Sequence, residues 1–302
     1  MLLLVLSWIF TPLFFSTCYI ANGFLTKYSM PLEYMMFYRL MSSSFLILLI
    51  ILIKRQRVLI KKSELKVSLL VSVSQLNVWL ACYGTKYLIT GLVPCVCLLQ
   101  IFVAELLSAI VEKRKMRKNI IISGMLGFVG IVMLCNQQLT GVGDVDMKKT
   151  IIGIFYSFIS VFAAAAGNII YERGGQPIRE MPRTTFLLYN CFFAGIFLLI
   201  LGLIIQPLNG LYNPAIFDIK YLGVMTYLAL TATIIALFGL YYIIEKQGAV
   251  KATYMNFILP ILSMTISTLF EGFRWNVVAF VGMLILLYSV WLGIKTPTDN
   301  SK

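Results

Sequence analysis

The 302-residue chain contains no histidine, the side chain that most often serves proteins as a general base or metal ligand. Charge is scarce as well, because only 12% of the residues are Asp, Glu, Lys or Arg, about half the usual share in a soluble domain. The Walker A pattern G-x-x-x-x-G-K-[ST] is missing. These absences exclude a soluble fold of ordinary composition, histidine-based catalysis and ATP hydrolysis within this chain.

Cysteine is present but forms no recognisable framework. Most of the six cysteines lie inside apolar runs, where cysteine behaves as a small hydrophobic side chain. Cys95 and Cys97 are two positions apart and therefore point to different helix faces. We expect no disulfide, no metal site and no cofactor.

Apolar residues dominate what remains. They make up 60% of the chain, and the mean hydropathy is +0.90, which is more apolar surface than a soluble core can hide. The bilayer is therefore the expected partner. The net charge of +13 comes mostly from short basic segments between apolar stretches. These segments lack the interleaved aromatic residues of a nucleic-acid platform, so we expect no nucleic-acid partner.

Stretches long enough to cross a membrane recur along the whole chain. The predicted fold is an all-α integral membrane protein with spans at roughly 2–24, 33–53, 67–86, 90–111, 119–136, 150–171, 184–206, 221–244, 250–270 and 275–294. The N-terminal stretch MLLLVLSWIF lacks a basic region, so we interpret it as a retained first span and not as a cleaved signal.

The basic residues predict the orientation of these ten spans. With the N-terminus inside, the inner segments contain 18 of the 25 lysines and arginines, while the outer segments contain six. The inner set is Lys54, Arg55, Arg57, Lys61, Lys62, Lys66, Lys113, Arg114, Lys115, Arg117, Lys118, Arg173, Arg179, Arg183, Lys246, Lys251, Lys295 and Lys302. The positive-inside rule therefore places both termini in the cytoplasm, most simply across a bacterial inner (plasma) membrane.

The two halves of the sequence resemble each other. Pro31 precedes Arg39 by eight positions, as Pro182 precedes Asn190, and IFVAELLSAIVE (101–112) aligns without a gap with PILSMTISTLFE (260–271). Five spans per half is an odd number, so the second copy must insert inverted relative to the first. The predicted units are a first repeat at 1–140, an outer loop at 141–149, a second repeat at 150–295 and a cytoplasmic tail at 296–302.

Three stretches carry a family pattern: TKYSMPLEYMMFYRL, KYLITGLVPCVCLLQIFVAELLSAIVEKRKM and QGAVKATYMNFILPILSMTISTLFEGFRW. In their order and duplication the chain resembles the EamA-type ten-helix transporters of the drug/metabolite transporter superfamily. The resemblance implies secondary transport of amino acids, nucleosides, S-adenosylmethionine-like metabolites or drugs. One departure is that the family commonly has a mid-span proline in both halves, whereas the first half has Ile101 at that position.

Pro260 interrupts the predicted ninth span and is the first candidate for the substrate site. Proline has no N–H, so the carbonyl of Asn256 is expected to lose its helical partner beside the amide of the same residue. Irregular backbone at membrane depth is tolerated only against protein or a water-filled cavity. We therefore predict that Asn256 and Pro260 line a substrate site; the alternative is a kink repaired by a neighbouring hydroxyl.

Glu105 and Gln100 lie on one helix in the predicted fourth span. Glu105 is the only carboxylate well inside a predicted span, which predicts a proton carrier or a binder of a substrate amine. The alternative is a neutral, hydrogen-bonded acid that fastens two helices together. Gln100 is expected to bind substrate further towards the outer face.

The remaining candidates are one arginine and three side chains of the third span. Arg39 could bind a carboxylate or phosphate in a bidentate manner, or could snorkel outward or pair with Glu33. The resemblance favours the structural role, because the family has a basic residue there for many substrates. Asn77, Trp79 and Tyr83 suit a pocket for a solute with polar and apolar parts.

Two functional alternatives accompany the transporter interpretation. The first is a membrane-embedded enzyme, which we do not favour because no motif places catalytic groups in mutual reach. The second is a structural membrane protein without transport. The preferred prediction is a monomeric or homodimeric secondary transporter of a small-molecule substrate that works by alternating access, with proton coupling as an open possibility.

Overall fold

The computed structural model describes residues 2–116, 118–141 and 147–295, and in these ranges the chain is helical with no β-strand. Ten long helices follow one another: α1 Leu2–Leu25, α2 Leu32–Ile53, α3 Lys62–Tyr87, α4 Leu92–Val111, α5 Lys118–Gly141, α6 Met147–Arg173, α7 Arg183–Ile205, α8 Ile219–Gln247, α9 Ala249–Phe270 and α10 Val277–Lys295.

These helices confirm the predicted all-α membrane fold. Within the described ranges, nine are long and apolar enough to cross a bilayer, and α10 adds a shorter apolar helix at the tenth predicted position. The largest boundary differences are five residues each: α3 begins at Lys62 instead of about 67, and α5 ends at Gly141 instead of about 136. Part of the predicted outer loop at 141–149, and the tail at 296–302, lie outside the described residues.

The helix pairs follow the predicted repeat: if each of α1 to α5 is replaced by its counterpart in α6 to α10 and the reverse, the set of pairs stays the same. Helix α5 packs along α10, α2 along α7, α3 along α6 and α1 along α8. The α5–α10 crossing uses the same tripeptide, Phe-Val-Gly, from each half. A Cβ at Gly130 would lie 2.7 Å from the Gly282 carbonyl oxygen, and one at Gly282 would lie 2.9 Å from the Gly130 oxygen. Glycine is needed here because the two backbones are in contact.

Four of the helices depart from regular α geometry partway across the bilayer. Helix α3 has a break at Gln75, and α4 has one at Leu98–Leu99. Helix α8 contains a π-helical segment, Leu228–Ile235, and α9 contains a 3₁₀ segment, Thr253–Ile258. By the predicted repeat, α3 corresponds to α8 and α4 to α9, so the irregular helices are the corresponding ones.

Candidate functional site

A cavity of about 100 Å³ lies at the centre of the helix bundle. The described residues that line it come from eight helices, α1 to α4 and α6 to α9. Its polar lining consists of Tyr19, Asn22, Arg39, Ser74, Gln75, Asn77, Gln100, Ser160, Asn168, Thr233, Tyr241, Thr253 and Asn256. The irregular segments of α3, α4, α8 and α9 all contribute lining residues. Backbone irregularity and polar side chains thus coincide at this cavity, as expected for polar groups in the hydrocarbon region.

Two predicted site residues, Asn256 and Gln100, meet at the cavity wall. The Asn256 Nδ2 donates a 2.9 Å hydrogen bond to Gln100 Oε1, which joins α9 to α4. The Asn256 carbonyl loses its α-helical donor at Pro260, as predicted, but it is not left free. It accepts a hydrogen bond from the Leu259 N–H, because the 3₁₀ segment shifts donors from the fourth to the third following residue.

Pro260 is buried at the start of the helix that follows this 3₁₀ segment. Its missing N–H costs little there, because the first residues of a helix have no partner for that group. The residues of this region that line the cavity are Thr253, Met255, Asn256 and Leu259, and Pro260 is not among them. Pro260 therefore fixes where the regular helix starts, and Asn256 and Leu259 face the cavity.

Arg39 lies in the cavity wall and is 4% exposed. Its Nε donates to Thr233 Oγ1 at 3.0 Å, and its Nη1 donates to Asn22 Oδ1 at 3.3 Å. Its Nη2 lies 3.5 Å from Cys18 Sγ. The considered pairing with Glu33 does not form, since all three partners are uncharged. Thr233 belongs to the π-helical segment of α8 and also donates to the Leu228 carbonyl, five residues back.

Tyr241 is a lining residue that the sequence alone does not identify. Its position near the end of a span is typical of interfacial tyrosines, but the residue is buried at 2% exposure. Its hydroxyl oxygen accepts hydrogen bonds from Gln75 Nε2 at 3.3 Å and from Asn190 Nδ2 at 3.5 Å. The spacing of Tyr241 in the sequence gives no signal for this role, because only the packing of α3, α7 and α8 brings the three side chains together.

Of the three predicted residues of α3, only Asn77 lines the central cavity in the described structure. Trp79 and Tyr83 instead contact Glu33, whose Oε1 accepts a 3.2 Å bond from Trp79 Nε1 and a 2.7 Å bond from the Tyr83 hydroxyl. Glu33 is fully buried, and its Oε2 has no hydrogen-bond partner among the described residues. Sequence reasoning missed this acid because it lies at a predicted span boundary.

Glu105 is buried at 1% exposure in the C-terminal half of α4. Its Oε1 accepts a 2.7 Å hydrogen bond from Arg114 Nη1, and Arg114 Nε also bonds to Glu112 Oε2. The contact with Glu105, followed by that with Glu112, raises the pKa of Arg114. Glu105 is not among the described lining residues, so the structure separates it from Gln100 and Asn256.

Further ion pairs connect the helix ends on the face predicted to be cytoplasmic. Lys61 Nζ lies 2.8 Å from Glu180 Oε2, and Arg173 Nη2 lies 2.8 Å from Glu112 Oε1. Both pairs join the first half of the chain to the second. At the opposite face, the Tyr38 hydroxyl donates to the Leu211 carbonyl at 2.7 Å, again between the halves. In the described residues, no group of three or more histidine, cysteine or carboxylate side chains could hold a metal ion.

The fold is that of an all-α, multi-pass membrane protein with a polar cavity buried at its centre. The model of the EamA-like transporter family matches residues 151–294, which is most of the second half of the chain. This match confirms the resemblance predicted from the sequence.

Two further comparisons agree with this assignment. The chain is 23% identical over 180 residues to Protein PecM of Dickeya dadantii (strain 3937), a match that covers 60% of this chain and 56% of that relative. The alignment thus spans little more than half of PecM. A solved structure described as "Crystal structure of protein" has a TM-score of 0.68 at 13% identity, with 96% of this chain and 95% of that chain covered. At this identity the likeness establishes a shared fold alone.

Proposed function

We propose that the protein is a secondary transporter that moves a small organic metabolite by alternating access, with the central cavity as its binding site. The observation that carries this proposal is that the four irregular helices, α3, α4, α8 and α9, all contribute to the cavity wall. Interrupted helices at corresponding positions of two inverted halves are typical of substrate sites in secondary transporters. The proposal includes the two repeats at 1–140 and 150–295.

The size of the cavity requires motion. About 100 Å³ is less than the ~150 Å³ void that accommodates one benzene molecule, so a metabolite needs the lining helices to separate. Contacts between the halves exist at both faces, for example Tyr38 with the Leu211 carbonyl and Lys61 with Glu180. Alternating access would break the contacts between the halves at one face while the contacts at the other face remain formed.

Proton coupling, if present, requires a buried carboxyl group, because the chain has no histidine. Glu105 remains our candidate, and its bond to Arg114 supplies a partner that protonation would release. Glu33 is a second candidate, because it is equally buried and one of its oxygens is without a partner in the described structure. The two acids lie on opposite sides of the cavity-lining region, near the outer end of α2 and the inner end of α4.

The test is solute movement into proteoliposomes that contain the purified protein, with and without a pH gradient. A panel of amino acids, nucleosides and S-adenosylmethionine should include a solute that exchanges, and Asn256→Ala should slow that exchange. Thr265→Ala is the matched control, because Thr265 is exposed on α9 and bonds only to its own helix. Chemical conversion of a solute without net movement would instead support a membrane-embedded enzyme.

We also propose that both termini are cytoplasmic and that the membrane is a bacterial plasma membrane. The charge asymmetry of the loops supports the orientation. The bacterial source of the PecM relative supports the compartment.

A further inference from the structure

Arg39 carries a charge that nothing in the described structure neutralises. The backbone of Arg39 lies about 10 Å along α2 from its first residue, at 1.5 Å per residue, and the side chain is almost completely buried. Its three hydrogen-bond acceptors, on Thr233, Asn22 and Cys18, are neutral. An unpaired buried cation costs several kcal/mol, so intramembrane arginines normally have an anionic partner.

The acid nearest to Arg39 in the sequence, Glu33, makes its hydrogen bonds with other side chains. Glu33, on the same helix, bonds to Trp79 and Tyr83. Among the described residues that line the cavity, no side chain is an aspartate or glutamate, and Arg39 is the only charged one. The cavity therefore has a positive charge with no internal counter-charge.

The hydrogen-bond count of Arg39 leaves donors available. A guanidinium has five N–H groups, one on Nε and two on each terminal nitrogen. The three observed contacts use one N–H on each nitrogen, which leaves one on Nη1 and one on Nη2. Two donors on neighbouring nitrogens match the two oxygens of a carboxylate.

We propose that the solute bound in this cavity has a carboxylate group that pairs with Arg39, so that small carboxylic acids, zwitterionic ones included, are the substrate class. This inference rests on the proposed transport function and narrows it. One fixed cation favours a monoanion over a phosphate dianion. An organic cation without a carboxylate is rejected, because it would meet the Arg39 charge and no acid. The amides of Gln100 and Asn256 are left to recognise the neutral or cationic remainder of the solute.

The experiment compares matched solutes on the full-length protein in detergent. The thermal transition is measured with leucine and leucinamide, lactate and lactamide, benzoate and benzamide, and inorganic phosphate. At least one acid should raise the transition temperature while its amide does not. Arg39→Gln should weaken binding of that acid by about tenfold to a hundredfold, the usual worth of a charged hydrogen-bond pair. Arg39→Lys keeps the charge but not the paired donors, so its affinity for the acid should lie between those of wild type and Arg39→Gln.

Lys27→Gln is the matched control, because it removes one positive charge from an exposed position next to α1 and should leave binding unchanged. A second measurement does not depend on finding the solute. If Arg39 is an unneutralised cation, the solute-free Arg39→Gln protein should be at least as stable as wild type.

Four results would overturn the proposal. They are stabilisation by amides as strong as by acids, unchanged acid binding in Arg39→Gln, loss of stability in the solute-free Arg39→Gln protein without any acid binding to wild type, and tighter binding of phosphate than of every carboxylate. Transport of a neutral or cationic solute in proteoliposomes would keep the proposed transport function and reject only this substrate class.

Discussion

The side-chain amide of Asn256 donates a 2.9 Å hydrogen bond to the side-chain oxygen of Gln100, 156 residues earlier in the chain. The bond joins α9 to α4, two helices that correspond in the predicted repeat and that both lose regular geometry beside the cavity. Any rearrangement that separates the two halves around a solute must stretch or break it.

The first prediction tests whether these two amides act together. Asn256→Ala and Gln100→Ala should each weaken solute exchange by about fivefold to thirtyfold, because each leaves a buried amide unpaired at a cost of about 1–2 kcal/mol. The double variant should cost less than the sum of the two. The double-mutant cycle is measured from initial exchange rates in proteoliposomes. Strictly additive losses would mean that the pair does not contribute as a unit.

The second prediction concerns Pro260. Pro260→Ala introduces an N–H that can bond to the Asn256 carbonyl, in competition with the Leu259 N–H that occupies it now. The 3₁₀ segment should then relax towards α geometry and turn Asn256 away, so that transport falls while expression and thermal stability are kept. Wild-type transport in a variant that combines Pro260→Ala with Asn256→Ala would show that neither belongs to the site.

The third prediction separates the roles of Glu105. If this acid carries a proton, Glu105→Gln should lose gradient-driven accumulation but retain counterflow exchange. If it binds a cationic substrate, binding should fall as well. If it only fastens α4 to Arg114, transport should be normal at every pH. Glu112→Gln is the matched control, since Glu112 bonds to the same arginine from an exposed position.

The fourth prediction concerns the pH dependence of the ion pairs on the face predicted to be cytoplasmic. The hydrogen bond from Arg114, the largest influence, holds the pKa of Glu112 below its usual 4.5, and Arg173 acts in the same direction. A lowered folded-state pKa stabilises the fold above pH 4.5, and this contribution is lost as the pH falls below that value. The thermal transition should therefore fall on acidification below pH 4.5, less steeply in Glu112→Gln. The effect is small because Glu112 is exposed.

The fifth prediction concerns topology. A cysteine that replaces Tyr212, which is 76% exposed between α7 and α8, should react with an impermeant thiol reagent in intact cells. One that replaces Ser63 should be protected until the cells are opened. The six native cysteines are buried and should contribute little background. The reverse labelling pattern would reject the proposed orientation. Gly143, in the predicted connecting loop, lies outside the described residues.

The fold class and nearly all helix boundaries follow from the amino-acid sequence alone. This follows because a helix is the only open segment that satisfies its own backbone in lipid, so apolar length alone marks each span. The same reasoning identified candidate site residues, because a polar residue inside an apolar run can be recognised without knowing its neighbours in the fold. Gln100, Asn256 and Arg39 were identified in this way, and all three line the cavity.

Which polar side chains face one another depends on the packing of the helices and cannot be read from the sequence. Tyr241 and Gln75 meet across α8 and α3, and Trp79 and Tyr83 turn to Glu33 rather than to the cavity. The local sequence cannot distinguish these outcomes, because they depend on how the helices are rotated about their axes. That rotation is set by packing between segments far apart in the chain, such as the contact of Gly130 with Gly282.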